Sequence, residues 1–467
     1  MTEHSNKGAR GVSLWTSSEI AAATGGTASL DFAVSGVTFD SREIGPGDLF
    51  VAMPGTAHDG HEFLDQAFSA AAAGALVSRP IDQPHVLVGD VAEALDALGR
   101  AARERCAATV IGVTGSVGKT STKEALFAAL DRAAPGRVHR SVKSYNNHTG
   151  VPLSLARMPR DSRYAVLEMG MNNAGEIAAL TRMVRPHVAL VTAIGAAHVE
   201  TLGTIEAIAD AKSEVFEGLE PDGIAIIPDM TPHRTRLLKA ARRHADRIVG
   251  FGCPDSDVRA IHAVASDDGG SLVTAALIER ELTFTISQRG DHWVSNALAV
   301  LAAVEAAGAD VALAGLALAD MGGLKGRGER HRVSVAGGDF LLIDESYNAN
   351  PASMAATLKS LGEERGVKHR IAVLGPMREL GAESETLHAG LAPAVLEAKV
   401  DRVILIGPEM KPLAKALDER LAVECARDVE EAGEKLSAAA GPGDAVLVKA
   451  SNSVGLARLV ERLRGAG

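Results

Sequence analysis

The sequence predicts an α/β protein built of three domains, and three observations carry that reading. Apolar runs of strand length alternate with segments of helical spacing along most of the 467 residues. One of those runs leads straight into a glycine-rich loop of the kind that holds phosphate, followed by a helix. The chain is also too long for one ordinary core, since domains run to about 150 residues. The boundaries expected are 1–106 for an N-terminal α/β domain, 107–328 for a central phosphate-loop ATPase-like parallel sheet with a small antiparallel sheet, and 329–467 for a C-terminal Rossmann-like domain.

The first domain mixes short strands, expected at 34–39, 48–53, 75–77 and 85–88, with helices at 63–73 and 91–105. The second alternates strands at 109–113, 164–168, 187–192 and 223–227 with helical periodicity. Such alternation implies a parallel sheet whose ligands lie at the carboxyl ends of the strands. Between 258 and 287 the pattern becomes alternating strands around Asp267-Asp268-Gly269-Gly270, a hairpin turn signal, and a helix follows at 292–307. Beyond a glycine-rich stretch at 321–328, the third domain resumes the alternation with strands at 340–344, 370–374, 402–406 and 445–448.

Composition excludes several classes. A hydrophobic content of 46% with 23% charged residues describes a globular chain, and aromatics at 3% require a mostly aliphatic core. The net charge of −11 argues against nucleic-acid binding, which needs basic surface to displace counterions. Cys106, Cys253 and Cys425 are far apart, form no zinc or redox spacing, and suit a reducing cytoplasm. Residues 1–10 lack the apolar core of a signal peptide. The apolar stretch 297–321 is broken by Glu305, Gly308 and Asp310, so it reads as two buried helices and no membrane insertion is expected.

The chemistry starts at Thr114-Gly115-Ser116-Val117-Gly118-Lys119-Thr120-Ser121. Gly115 and Gly118 let backbone N–H groups turn toward an anion at a helix N-terminus. Lys119 supplies a mobile positive charge for terminal phosphates, and the Thr120 hydroxyl can ligate magnesium. Val113 stands where the strict phosphate-loop pattern has glycine. Alone, the loop says only that a nucleoside triphosphate binds. Glu168 ends the next apolar strand, placed either to bind magnesium or to act as a helix cap or surface acid. His198 follows a further strand and invites the same two readings. Lys212, on spacing alone, is a solvated helical lysine, while Asn146 and Asn147 are either turn residues or substrate ligands.

Taken in order along the chain, these motifs resemble the Mur ligases of peptidoglycan synthesis. Asp40-Ser41-Arg42, Gly47-Asp48-Leu49-Phe50-Val51-Ala52 and Asp59-Gly60-His61 are similar to the family's uridine-nucleotide module. The phosphate loop, Asn146-Asn147, Glu168-Met169-Gly170, Ala197-His198, Ala211-Lys212-Ser213-Glu214 and the segment 292–296 follow in the family's order. Asp344-Glu345-Ser346-Tyr347-Asn348-Ala349-Asn350-Pro351 and Val373-Leu374-Gly375-Pro376-Met377-Arg378-Glu379-Leu380-Gly381 resemble the branch that adds a dipeptide. The Asp-Asn-Pro-Arg signature of the branch adding a diamino acid is absent, and the related folylpolyglutamate synthetases lack the uridine module.

The resemblance implies an ATP-dependent amide ligase that joins D-alanyl-D-alanine to UDP-N-acetylmuramoyl-tripeptide through an acyl phosphate, working as a cytoplasmic monomer. By the same resemblance, residues 114–121, Asn296, Arg327, Asp344, Tyr347 and Asn348 bind ATP. Asp40, Ser41, Arg42, Asn146 and Asn147 bind the muramyl nucleotide. Thr120, Glu168, His198 and Lys212 hold two magnesium ions, Lys212 as a carbamate formed with carbon dioxide, and Lys119, Glu168, His198 and Lys212 make up the catalytic set. Two departures stand out. Pro376 replaces an expected acid, and Gly328-Glu329-Arg330 after Gly326-Arg327 leaves two candidates for the nucleotide-facing arginine, of which Arg327 is favoured. The competing class, a non-catalytic nucleotide switch, requires neither a uridine module nor a third domain.

Overall fold

The computed structural model describes residues 13–55, 58–266, 270–288, 290–417 and 420–465, so the polar segment 1–10 and the turn residues 267–269 lie outside it. The first sheet has five short strands, in the order Thr27–Ala28, His85–Leu87, Gly74–Val77, Asp48–Val51 and Gly36–Thr38. All neighbours run parallel except Thr27–Ala28 against His85–Leu87. Helix Val91–Glu104 begins where the Asp90 carboxylate accepts the N–H groups of Ala92 and Glu93, at 2.7 and 2.9 Å. Its buried residues Val91, Leu95, Leu98 and Ala102 share one core with Leu49, Val51 and Leu76 of the sheet. Leu153 and Ala156, on helix Gly150–Ala156 of the central domain, belong to that same core. The helix expected at 63–73 is shorter, a 3-10 turn Gly60–Phe63 followed by Leu64–Ser69, because Ala71 takes a φ of 67° through which no helix continues.

The central sheet is six parallel strands in the order Arg247–Phe251, Ile224–Pro228, Val188–Val191, Thr109–Thr114, Tyr164–Glu168 and Val138–Arg140. The chain leaves Thr109–Thr114 for one edge, returns to its near side, then crosses to its far side. That reversal of strand order opens a crevice at the carboxyl ends, where the phosphate loop lies. Strands Arg259–Ala265, Ser271–Ala276 and Glu281–Ile286 form the expected antiparallel sheet, and helices Asp291–Ala306 and Val311–Asp320 pack on helix Lys119–Ala133. Among the described residues no helix is long and apolar enough to cross a membrane.

The third sheet runs Glu329–Val335, Gly338–Glu345, Ala445–Lys449, Arg370–Leu374, Arg402–Ile406 and Ala422–Ala426. It is parallel apart from its first pair. Four strands of these two six-stranded sheets were not expected from sequence: Val138–Arg140, Arg247–Phe251, Glu329–Val335 and Ala422–Ala426. All four are sheet edges. An edge strand is covered less completely than a central one, so it carries polar residues and loses the continuous apolar run that marks a buried parallel strand.

One buried side chain ties the first domain to the second. Arg103 reaches from its helix to the end of helix Glu176–Val184, its Nε donating to Val184 O at 2.8 Å and Nη2 to Arg185 O at 2.7 Å. Carbonyls at a helix C-terminus have no partner within the helix, so the guanidinium supplies one. Arg103→Met keeps much of the volume and strands both carbonyls. The expected cost is about 1–3 kcal/mol, read as a lowered Tm, and an unchanged Tm would refute the bridge.

Candidate active site

The phosphate loop is held open by its neighbours. Gly115 has a φ of 147° and Gly118 of 85°, values that side chains other than hydrogen resist. A Cβ on Gly115 would lie 2.0 Å from Thr192 Oγ1, and one on Gly118 3.1 Å from Asn296 Oδ1. Thr192 Oγ1 donates to Thr114 O at 3.2 Å and to Val117 O at 2.5 Å, while Ser116 N–H donates to Ala193 O at 2.8 Å. Lys119 lies along the loop with Nζ donating to Gly115 O at 2.7 Å. Desolvation holds its ammonium below its ordinary pKa, against the attraction of Glu168.

Glu168 sits at the carboxyl end of its strand, 1% exposed. Its Oε2 accepts from Thr120 Oγ1 at 3.0 Å and its Oε1 from Asn146 Nδ2 at 2.8 Å, with Lys123 Nζ 3.8 Å away. His198 has a φ of 63°, and its Nδ1 lies 2.5 Å from Glu379 Oε2 of the third domain. Lys212 is fully buried, and its Nζ makes no hydrogen bond among the described residues. Burial pushes its pKa well below the usual value and repulsion from Lys119 adds to that, while Glu214, Glu168 and Glu176 pull the other way. Spacing suggested a solvated lysine. The structure corrects this, since the side chain is fully buried and burial favours its uncharged form, and the signal lay in the apolar residues around it. Glu168, Thr120 and His198 line one cavity, and a carboxylate, a hydroxyl and an imidazole are donors whose chemistry suits magnesium, while the buried Lys212 Nζ has no hydrogen-bond partner among the described residues.

A cavity of about 570 Å³ joins this centre to the third domain. Ser116 to Ser121, Asn146, Asn147, Glu168, His198 and Asn296 line it from one side, Arg327, Tyr347 and Asn348 from the other. The Arg327 guanidinium lies 4.0 Å over the Tyr347 ring. Arg330 instead pairs with Glu364 at 2.6 Å. Thr114 is buried at the strand end, and it and Gly115 support the loop without lining the cavity.

Asp344 departs from expectation. Its Oδ2 accepts from Gly326 N–H and its Oδ1 from Ser346 N–H, both at 3.0 Å, so the carboxylate braces the segment that presents Arg327. Its neighbour Glu345 faces the cavity, because successive side chains of a strand point to opposite faces. Burial raises the Glu345 pKa and lowers that of Lys449, whose Nζ lies 3.3 Å from Glu345 Oε2 and donates to Asn348 O at 2.9 Å. Lys449 also lines the cavity and was missed, while His292 and Trp293 line it from the segment 292–296, whose motif was noted with a role expected only for Asn296. Lys449 had a signal, being a charge at the carboxyl end of an apolar strand, as Glu168 is. Pro376 is buried and offers only its carbonyl, to Ser451 N–H at 3.1 Å.

Asp40, Ser41 and Arg42 form a turn on the first domain. Arg42 grips Asp40 through Nε at 2.8 Å and Nη2 at 2.7 Å, which holds the Asp40 carboxyl below the usual range. Residues 143–147 run from this turn to the cavity: Lys143 pairs with Glu43, Tyr145 packs on Phe39 at 5.4 Å, and Asn146 reaches Glu168. Asn147 does turn work as well, accepting from Gly150 N–H at 2.9 Å to start a helix.

Comparison with known proteins places this architecture. Residues 33–105 match the model of the Mur ligase family catalytic domain, 113–304 the Mur ligase middle domain, and 326–452 the Mur ligase glutamate ligase domain. The UDP-N-acetylmuramoyl-tripeptide–D-alanyl-D-alanine ligase of Bacillus subtilis is 34% identical, covering 92% of this chain and 93% of its own. The chain belongs to the Mur ligases. The Escherichia coli ligase of the same name is 35% identical over 94% of this chain and 95% of its own. A crystal structure of MurF from Acinetobacter baumannii superposes with a TM-score of 0.83, at 30% identity, over 97% of this chain and 99% of that one. MurF of Thermotoga maritima in complex with ADP gives 0.75 at 28% identity, over 92% and 98%.

Within this Mur ligase the two arginines are separable. A hydrogen bond to a charged group contributes about 1.5–3 kcal/mol, so Arg327→Ala should raise the KM for ATP about tenfold or more. Arg330→Ala should leave that KM unchanged and act only through its pair with Glu364. Steady-state kinetics on both variants decides the matter, and the reverse result would reassign the arginine.

Proposed function

We infer that this protein joins D-alanyl-D-alanine to UDP-N-acetylmuramoyl-tripeptide, cleaving ATP to ADP and phosphate in peptidoglycan precursor synthesis. Full-length similarity to ligases of that name, at 34% and 35% identity, carries the reading. The cavity between the phosphate loop and the third domain supports it, since an inert nucleotide switch has no use for a second wall. The domains proposed are 1–106 for the uridine nucleotide, 107–328 for ATP, and 329–467 to complete the cavity. The unpaired cysteines support a cytoplasmic location.

The chemistry follows from charge. The tripeptide's terminal carboxylate attacks the γ-phosphorus of ATP, a new O–P bond forming as the bond to the β-phosphate oxygen breaks and ADP leaves. Both reactants are anions, and their repulsion is the obstacle. Lys119 and the loop N–H groups offset it with fixed positive charge and dipoles. Magnesium, when bound, supplies further positive charge to the phosphates, and Glu168, Thr120 and His198 are the residues we assign to hold it. The neutral amine of the dipeptide then attacks the acyl carbon, phosphate leaves, and the nitrogen sheds a proton. Asp40, Ser41 and Arg42 are assigned to the uridine nucleotide, with Asn146 and Asn147 on the path from that turn to the reacting carboxylate.

The Lys212 assignment is more specific. Its neutral amine adds to carbon dioxide, forming an N–C bond and releasing one proton, which leaves a carbamate anion where a buried cation would be repelled. Depression of the lysine pKa by burial supports this, because only the unprotonated amine reacts. Phosphate release should require the muramyl tripeptide and D-alanyl-D-alanine together, and release without the dipeptide would count against the ligase. Lys212→Ala should lose nearly all turnover, Lys212→Arg should not recover it, and a short carboxylic acid should partly restore the alanine variant. Carbon-13 NMR with labelled bicarbonate should show a carbamate signal that the variants lack; an active enzyme without it refutes the assignment.

A further inference from the structure

We propose that Glu379 is a positioning residue for the metal site: carried by the third domain, its carboxylate fixes the His198 imidazole, so the site is complete only when that domain is docked. The proposal rests on the reading of His198 as a magnesium ligand. Glu379 follows strand Arg370–Leu374 in a loop braced by its own domain. Met377 N–H donates to His388 Nε2 and Arg378 N–H to Ser451 Oγ, both at 2.9 Å. The Arg378 side chain turns aside to Glu409 at 2.6 Å, while Glu379 crosses to the central domain.

The crossing is made twice. Glu379 Oε2 lies 2.5 Å from His198 Nδ1, and Glu379 O accepts from Glu200 N–H at 3.2 Å. Both Glu379 and His198 hold a φ of 63°, in the left-handed region that residues bearing a Cβ resist. Two such residues facing each other across a domain boundary indicate that the surrounding contacts hold the pair in place.

The consequence is chemical. A carboxylate only accepts, so the Nδ1 facing Glu379 carries the proton and Nε2 keeps its lone pair. That is the tautomer a metal needs, and a carboxylate behind a ligating histidine both orients the ring and raises its basicity. His198 lines the same cavity as Thr120 and Glu168.

The test uses the full chain with ADP and the muramyl tripeptide nucleotide, titrated with Mn2+ and followed by electron paramagnetic resonance. Glu379→Ala should weaken Mn2+ binding about 10–100-fold, the range for removing such a partner, and lower kcat without changing the KM for the uridine nucleotide. Glu379→Gln, whose amide oxygen still accepts from Nδ1–H, should lose less. Adding Glu379→Ala to His198→Ala should weaken Mn2+ no further than His198→Ala alone. Wild-type affinity in Glu379→Ala beside weakened affinity in His198→Ala overturns the positioning role and spares the ligand assignment. Wild-type affinity in His198→Ala overturns both. Reduced compaction by small-angle scattering with unchanged Mn2+ affinity makes the pair a domain tether only, and also overturns the proposal.

Discussion

A carboxylate buried to 1% exposure at the end of a parallel strand is the constraint from which the rest of the site follows. A charged or polar group taken out of water must be matched by donors, and Glu168 collects them from separate parts of the chain. Thr120 comes from the helix after the phosphate loop and Asn146 from the segment that returns from the first domain, while Lys123, one turn further along the helix, adds a positive charge 3.8 Å away. Moving any of these segments leaves a buried oxygen unsatisfied. The loop, the strand end and the path to the uridine module are therefore held in one arrangement.

The third domain solves a related problem from the opposite side. It brings the carboxyl ends of its own parallel strands to the same cavity, and with them Glu345 and Lys449. These are two buried ionisable groups, and burial pushes both toward their neutral forms while each draws the other toward charge. Lys449 is also tied to Asn348 O, so the pair holds the 345–348 turn and, through Tyr347, the surface on which Arg327 lies. Polar residues here set geometry more than stability.

How much of this was legible in the sequence depends on burial. Strands covered on both faces, such as Thr109–Thr114 and Arg370–Leu374, announce themselves as apolar runs, and the phosphate loop is a local motif whose chemistry needs no fold to be read. The edge strands of the two six-stranded sheets were invisible because partial cover lets polar residues in. Asp344 and Glu345 show a second limit: pattern recognition finds the acidic strand end, but a one-residue difference reverses which face a side chain takes. Lys212 shows a third. Its neighbours Ala209, Ala211 and Val215 are all buried, yet helical spacing alone cannot say that a lysine among them lacks a partner.

The two domain seams differ in kind, and that difference decides where the molecule can open. The first seam is apolar: Leu95 and Leu98 share a core with Leu153 and Ala156, Trp15 Nε1 donates to Ala156 O at 2.8 Å, and Arg103 crosses fully engaged. Separating those domains would expose that core to water at about 25 cal/mol per Å² and strand buried donors. The second seam is polar, lined by the cavity and crossed by contacts such as His198 to Glu379 and the exposed pair of Lys359 with Asp291 at 2.5 Å. Exposed ion pairs contribute under about 1 kcal/mol each, and the charges freed on opening are rehydrated rather than stranded. The first two domains therefore act as one body, and exchange of substrates is a matter for the third. A ligase that must admit two peptides and a nucleotide, then exclude water from an acyl phosphate, needs one weak seam beside one strong one.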